Sequence, residues 1–123
     1  MRQVLLKCLA PLASLSAQEK YIVLGTKDRH LLPSELLDRA ATVAAQVLSA
    51  PAGSCGLSGA DVEAVRQFDV VLKWEAKDLD LDAYTGETLV RSCREWAEIR
   101  EAAVVCLSAL GFECGAWEEE AGA

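Results

Sequence analysis

Three aspartates at alternate positions form the motif with the clearest chemical potential in this chain: Asp78, Asp80 and Asp82, within the sequence DLDLD. Calcium loops of the EF-hand type begin with oxygen ligands at positions one, three and five, and then need glycine at six and glutamate at twelve. Here those two positions hold Ala83 and Leu89. The pattern therefore argues against calcium, and we expect no metal and no other cofactor.

Two interpretations of the aspartates stay open. In one, residues 78–82 are an extended connection whose leucines pack inward while the carboxylates are simply solvated. In the other, the carboxylates are surplus to folding and receive arginines or lysines of another protein, with Trp74 and Tyr84 as neighbouring aromatic contacts. We follow the second interpretation and predict a set of partner-binding residues: Trp74, Asp78, Asp80, Asp82, Tyr84 and Trp117.

Candidate catalytic residues are few. His30 is the single histidine, and it lies in a charged stretch without a recognisable nucleophile motif. The five cysteines are an odd number and lack the close pairs that a zinc site or a disulfide framework needs. We therefore predict a protein that is not an enzyme, with free cysteines in a reducing cytoplasm. An enzyme or ligand-binding domain that uses His30 or a cysteine is the alternative.

Charge is distributed unevenly along the chain, whose formal net charge is −7. Residues 1–60 carry six lysines and arginines against four acids, whereas residues 61–123 carry six against fifteen. Such a field repels nucleic acid and anionic membranes and attracts basic surfaces, although many acidic proteins use their charge for solubility alone. We expect a basic protein partner, no direct binding of nucleic acid and no membrane association.

The N-terminal segment reads as an amphipathic helix over residues 2–15. We expect Pro11 to interrupt this helix, because proline removes a backbone donor and its ring clashes with the preceding turn. A cleaved signal peptide is the alternative interpretation, since the segment has a basic start and an apolar middle. Lys7 interrupts the apolar run, which favours the helix.

The next two segments carry helix start and stop signals. Ser16 is the predicted N-cap of a short helix over residues 17–24, and Gly25 is its predicted end. The YIVL sequence at residues 21–24 is prone to form β-structure, so a short strand is the alternative there. Pro33 suits the first turn of a third helix, which we expect to end near residue 49.

The acidic half predicts two longer helices. Ser58 begins a capping-box pattern for a helix over residues 59–77, although alternating apolar residues at 68–74 would also suit a strand. A central helix is predicted from Thr85 as N-cap to Gly111 as the terminating residue. Because residues 102–112 contain no charge, we expect the last turns of this helix to be enclosed on most sides.

One domain follows from the length of 123 residues. We predict a mostly α fold, with four or five helices packed as an antiparallel bundle over residues 1–112 and an acidic C-terminal tail over residues 113–123. Within the tail, Trp117 either folds back on the core or anchors a short contact with a partner.

The leading functional hypothesis is a small inhibitor or immunity-type protein that blocks a basic surface of a toxin, a nuclease or a component of phage or host defence. Acidity, small size and the lack of a catalytic motif motivate this hypothesis. A helical subunit that assembles with copies of itself, at least as a homodimer, is the alternative. The 52% hydrophobic content, which is generous for a small monomer, motivates that second hypothesis.

Overall fold

Seven α-helices and no strand occur in the residues that the structure describes, which are 1–25, 31–51 and 56–122 of this computed structural model. A π-helical turn, Glu19–Leu24, continues the second helix, and a 3₁₀ turn, Leu81–Ala83, precedes the fifth. The mostly α prediction is confirmed, and both strand alternatives are wrong. The helices are α1 (Arg2–Ala13), α2 (Leu15–Gln18), α3 (Pro33–Ser49), α4 (Gly59–Ala76), α5 (Gly86–Ser92), α6 (Arg94–Ala109) and α7 (Cys114–Gly122).

Helices α1 and α6 lie at the centre of the hydrophobic core. Helix α1 packs against α3, α6 and α7, while α6 also packs against α4. Arg2 at the start of α1 donates to the carbonyl of Leu110 after α6 and lies 3.5 Å from Asp61 in the first turn of α4. At the opposite end, Arg94 of α6 lies 3.7 Å from Glu75 of α4. Helices α4 and α6 therefore run antiparallel.

Local sequence signals define where helices α3, α4 and α5 begin. In the capping box of α4, the Ser58 hydroxyl accepts from the Asp61 amide at 3.1 Å, and the Asp61 carboxylate accepts from the Ser58 amide at 3.2 Å. Thr85 and Thr88 form an equivalent box at the start of α5. Pro33 occupies the first turn of α3. These predicted starts are confirmed, because each depends on residues within a single turn.

The end of α6 also follows its local signal. Gly111 has a φ of +91°, a conformation that glycine adopts without a steric cost. The Gly111 amide donates to the carbonyl of Ser108, and the Phe112 amide donates to the carbonyl of Leu107, both at 3.0 Å. This pair of bonds is a Schellman motif, and Phe112 packs partly buried against the core as its hydrophobic contact.

The central helix predicted over residues 85–111 is two helices, because the backbone is extended at Cys93 with φ −82° and ψ 116°. The break lets α5 pack against residues 19–24 while α6 enters the core between α1 and α4. At such a break the carbonyl of Val90 has no helical donor, and it accepts from Arg100 Nη1 at 3.4 Å instead. A side chain from the following helix thus stabilises a break that periodicity did not predict.

The N-terminal segment differs from its prediction in two positions. Helix α1 continues past Pro11 and ends at Ala13, so the proline removes one backbone donor within the last turn but does not end the helix there. Ser14 is extended and caps α2, with its hydroxyl accepting from the Ala17 amide at 3.0 Å, so the predicted cap at Ser16 is wrong. Gly25 ends the segment with a φ of +66°, as predicted.

Residues 114–122, predicted as part of an acidic tail, form helix α7 on the surface of α1 and α2. The Ser14 hydroxyl donates to the Glu118 carboxylate at 2.8 Å and joins this helix to the α1–α2 corner. The tail helix and the break at Cys93 raise the number of α-helices in the described residues to seven, above the predicted four or five. Among the described helices, none is long and apolar enough to cross a bilayer.

Two glycines in equivalent positions give a matched test of this packing. Gly86 and Gly59 each follow the N-cap of a helix, but a Cβ on Gly86 would lie 2.7 Å from the Ile22 carbonyl oxygen, whereas one on Gly59 would meet no atom within 4 Å. We expect Gly86→Ala to lower the free energy of unfolding by about 1–3 kcal/mol, because the backbone must shift. Gly59→Ala should change it by less than about 1 kcal/mol. Urea unfolding measures both, and equal effects would contradict the close approach of α5 to residues 19–24.

Candidate protein-binding surface

The C-terminal end of α4 presents a tryptophan to solvent. Residues Leu72 and Glu75 of this helix face inward, so Trp74 points away from the core and 66% of it is exposed. The Lys77 ammonium lies 4.3 Å from the centroid of the Trp74 ring, a cation–π contact that orients the indole along the helix surface. An exposed indole already held in one place loses little entropy when a second protein covers it.

The three aspartates follow in the turn between α4 and α5. Leu79 and Leu81 are partly buried against the core, as the alternating pattern predicted, while Asp78, Asp80 and Asp82 are exposed. One Asp80 carboxylate oxygen accepts from the Asp82 amide at 3.1 Å and so caps the 3₁₀ turn. The packed leucines therefore hold the carboxylates outward on an ordered turn.

Within the described ranges, none of the three aspartates forms an ion pair. Basic side chains on the same stretch of α4 contact other groups: Lys73 lies 2.9 Å from Asp69, and Lys77 lies over Trp74. Apart from the single bond at Asp80, the carboxylate oxygens accept no hydrogen bond from the described residues. The turn thus carries three negative charges that this part of the chain does not neutralise.

Tyr84 connects the turn to the start of α6. Its side chain is partly buried, and a hydrogen bond with the Cys93 thiol raises the pKa of Tyr84. The same thiol donates to the Glu95 carboxylate at 3.3 Å. The pKa of Glu95 is lowered, first by its own backbone N–H and then by this thiol. Tyr84 is thus tied to the break between α5 and α6, and its contact with a partner stays a prediction.

Trp117 lies away from the other predicted site residues. It belongs to α7, which packs mainly on α1 and α2, and only 7% of its surface is exposed. Within the described residues, no acceptor reaches its indole Nε1. The structure therefore places Trp117 on the side of α7 that faces the core. Folding back on the core was one of the two sequence interpretations of this residue.

A cleft of about 570 Å³ lies beside the aspartates. One wall comes from the start of α3, with Leu32 and Ser34, and the other comes from the turn, with Asp80 and Asp82. Carboxylates next to apolar walls suit the side chain of lysine or arginine, whose alkyl chain packs on apolar surface while its charge meets an acid. The sequence did not predict this cleft, because it forms between segments about fifty residues apart.

His30 and the cysteines are the residues of the alternative enzyme hypothesis. His30 and Cys55 lie outside the described residues. Cys93 and Cys106 are buried, and burial raises the pKa of the Cys106 thiol to about 11, so this thiol stays protonated at neutral pH. No group of three metal-ligating side chains occurs across ranges 1–25, 31–51 and 56–122.

The sequence also missed an apolar groove between α4 and α6. The uncharged run at residues 102–112 was predicted to be enclosed, yet Val105 and Ala109 face solvent. One signal was available, because the last turns of α6 are apolar on more than one face. Periodicity alone could not show whether the extra apolar face packs against another helix of this chain or is exposed.

Comparison with protein-family models, with curated proteins and with solved structures gave no match to this chain.

Proposed function

We propose that this protein binds a basic surface of another protein and blocks it. The observation that carries this proposal is the ordered turn after α4, where Asp78, Asp80 and Asp82 are exposed without an ion pair to the described residues, next to the exposed Trp74. Asp78 and Asp82 accept no hydrogen bond from the described residues, and Asp80 uses one oxygen to cap the turn, so their remaining carboxylate oxygens are available to a partner.

The two parts of this surface would contribute differently to binding. The aspartates belong to the strongly acidic half of the chain, and their field would steer a basic partner and raise the association rate. Trp74 supplies the large apolar area that affinity requires, because aromatic residues at the centre of an interface carry much of its energy. Lysine or arginine side chains of the partner would enter the cleft between Leu32 and the turn.

An inhibitor or immunity-type role would explain why the protein exposes this acidic surface. Toxins, nucleases and components of phage or host defence that act on nucleic acid need a basic surface to bind phosphates. A small acidic protein with ordered carboxylates competes for that surface. Free thiols at the described cysteines suit a cytoplasmic location, which we include in the proposal.

The test is capture of a partner from the cells that make the protein, by the wild type and by a variant carrying Asp78→Asn, Asp80→Asn and Asp82→Asn. We expect the triple variant to recover at least about tenfold less partner at physiological salt, because each lost charge pair weakens steering and contact. The control carries Glu113→Gln, Glu119→Gln and Glu120→Gln in the C-terminal segment, which changes the net charge equally without removing the bond between Ser14 and Glu118. Equal recovery by wild type and the aspartate variant would remove the turn from the interface.

A further inference from the structure

The groove between α4 and α6 is an apolar surface that this chain leaves uncovered. It has a volume of about 260 Å³ and lies between two antiparallel helices. Small side chains at Ala64, Ala102 and Ala109 keep its floor close to the helix backbones. Because interaxial distance depends on side-chain size, alanines at these positions let a third helix approach to about 8 Å.

Exposed apolar side chains lie in the groove and next to its lining residues. Val105 on α6 is 59% exposed, and Val70 on α4 is 62% exposed. Val71, the neighbour of Val70 in sequence, lines the groove from α4. The last turns of α6 carry no charge on any side and would normally be covered, yet the described residues leave Val105 exposed.

The rim of the groove is negatively charged. Glu98 and Glu101 line it from α6, and neither carboxylate forms an ion pair with a residue that the structure describes. Gln67 lines the opposite wall, so no basic side chain lies among the residues that form the groove. A segment that binds in the groove therefore needs apolar residues on one face and positively charged residues beside them.

We propose that the groove between α4 and α6 binds an amphipathic, basic helix of a partner protein. The apolar face of that helix packs against Val71 and Val105, and its lysines or arginines lie along Glu98 and Glu101. This helix-in-groove mode uses apolar anchors at three- and four-residue spacing. The groove is a second surface, separate from the aspartate turn, and it does not depend on the proposed inhibitory role.

A second copy of this chain fits the groove less well than a basic helix. In a two-fold dimer the same patch lies on both sides of the interface, so Glu98 and Glu101 of both copies would be brought into one interface. The groove has no cation of its own to separate them. Like charges brought together in this way oppose association, whereas a basic helix removes the same repulsion.

The experiment selects peptides of about 16 residues, long enough as a helix to follow most of α6, from an unbiased random library on the immobilised wild-type protein. Counter-selection uses Val105→Glu, a change at an exposed position that circular dichroism and urea unfolding should show to be tolerated. We expect enriched peptides to be net positive, with apolar residues at helical spacing. Their backbone amide shifts should map onto α4 and α6.

Affinity measurements on variants then decide the proposal. We expect Val105→Glu to weaken an enriched peptide at least about tenfold, and Glu98→Gln with Glu101→Gln to weaken it about threefold and reduce its salt dependence. The triple aspartate variant should bind the peptide as the wild type does. Absence of enrichment, enrichment of neutral or acidic peptides, or binding that Val105→Glu leaves intact would overturn the proposal. So would a wild-type dimer that Val105→Glu converts to a monomer.

Discussion

Replacing Gln18 with leucine will lower the free energy of unfolding by about 3–5 kcal/mol, because several buried groups lose their partners at once. The Gln18 side chain is fully buried at 0% exposure. Its amide nitrogen donates to the carbonyls of Pro11 at 3.1 Å and Leu12 at 2.6 Å. Its amide oxygen accepts from the indole of Trp96 at 3.0 Å and from the guanidinium of Arg100 at 3.3 Å.

Leucine has a similar size but can replace none of these four bonds. A chain of this length has a total stability of about 6–18 kcal/mol, so the loss is a large fraction of it. Urea unfolding should show a lower midpoint with an unchanged slope. Gln3→Leu is the matched control, since Gln3 is exposed on α1 and its side chain makes no hydrogen bond within the described residues; its effect should stay within about 0.5 kcal/mol. A similarly small effect at Gln18 would contradict its role as the link between α1 and α6.

Replacing Trp74 with alanine will weaken partner binding about 30-fold or more, while the free energy of unfolding changes by less than about 1 kcal/mol. The binding loss follows from the large area that an exposed indole can bury in an interface. The small stability effect follows because two thirds of the side chain is already in water. Titration of the captured partner against both proteins measures the first quantity, and urea unfolding measures the second.

Leu15→Ala is the control for Trp74, because Leu15 is also a large exposed apolar residue but lies on α2. It should leave affinity unchanged. Trp74→Phe keeps an aromatic face over Lys77 and should cause a smaller loss than alanine. If Leu15→Ala and Trp74→Ala weaken binding equally, the effect belongs to general surface apolarity and Trp74 is not an anchor.

The parts of the fold that the sequence predicted correctly are those with local causes. The boxes at Ser58 and Thr85 and the left-handed Gly111 act within one turn, so their residues alone define where helices begin or end. Pro33 likewise indicated the first turn of α3. Such signals do not depend on where the rest of the chain lies.

The breaks in the helices have causes that are distant in sequence. At Cys93 the chain bends because α5 packs on residues 19–24, where Gly86 approaches the Ile22 carbonyl too closely for any side chain. Arg100 then supplies the donor that the Val90 carbonyl needs. Periodicity across residues 85–111 continues through the break, so no pattern in that stretch indicates two helices.

The candidate surface also has some features with local causes and others that depend on residues distant in sequence. Exposure of Asp78, Asp80 and Asp82 was predictable, because alternating leucines in one turn can pack only by directing the acids outward. The cleft beside them and the groove between α4 and α6 depend on which segments become neighbours. Folding of Trp117 back on the core was one of two sequence interpretations, but the acidic sequence did not indicate that α7 would pack on α1 and α2.

Carbodiimide cross-linking of the captured complex tests the central claim most directly, because this reagent joins a carboxylate to a lysine amine without a spacer and so reports ion-pair contact. We predict cross-links from Asp78, Asp80 or Asp82 to lysines on a basic surface of the partner, located by mass spectrometry, and their loss at high salt. Recovery of the complex with cross-links only from carboxylates outside the turn would contradict the claim that these aspartates receive a basic partner.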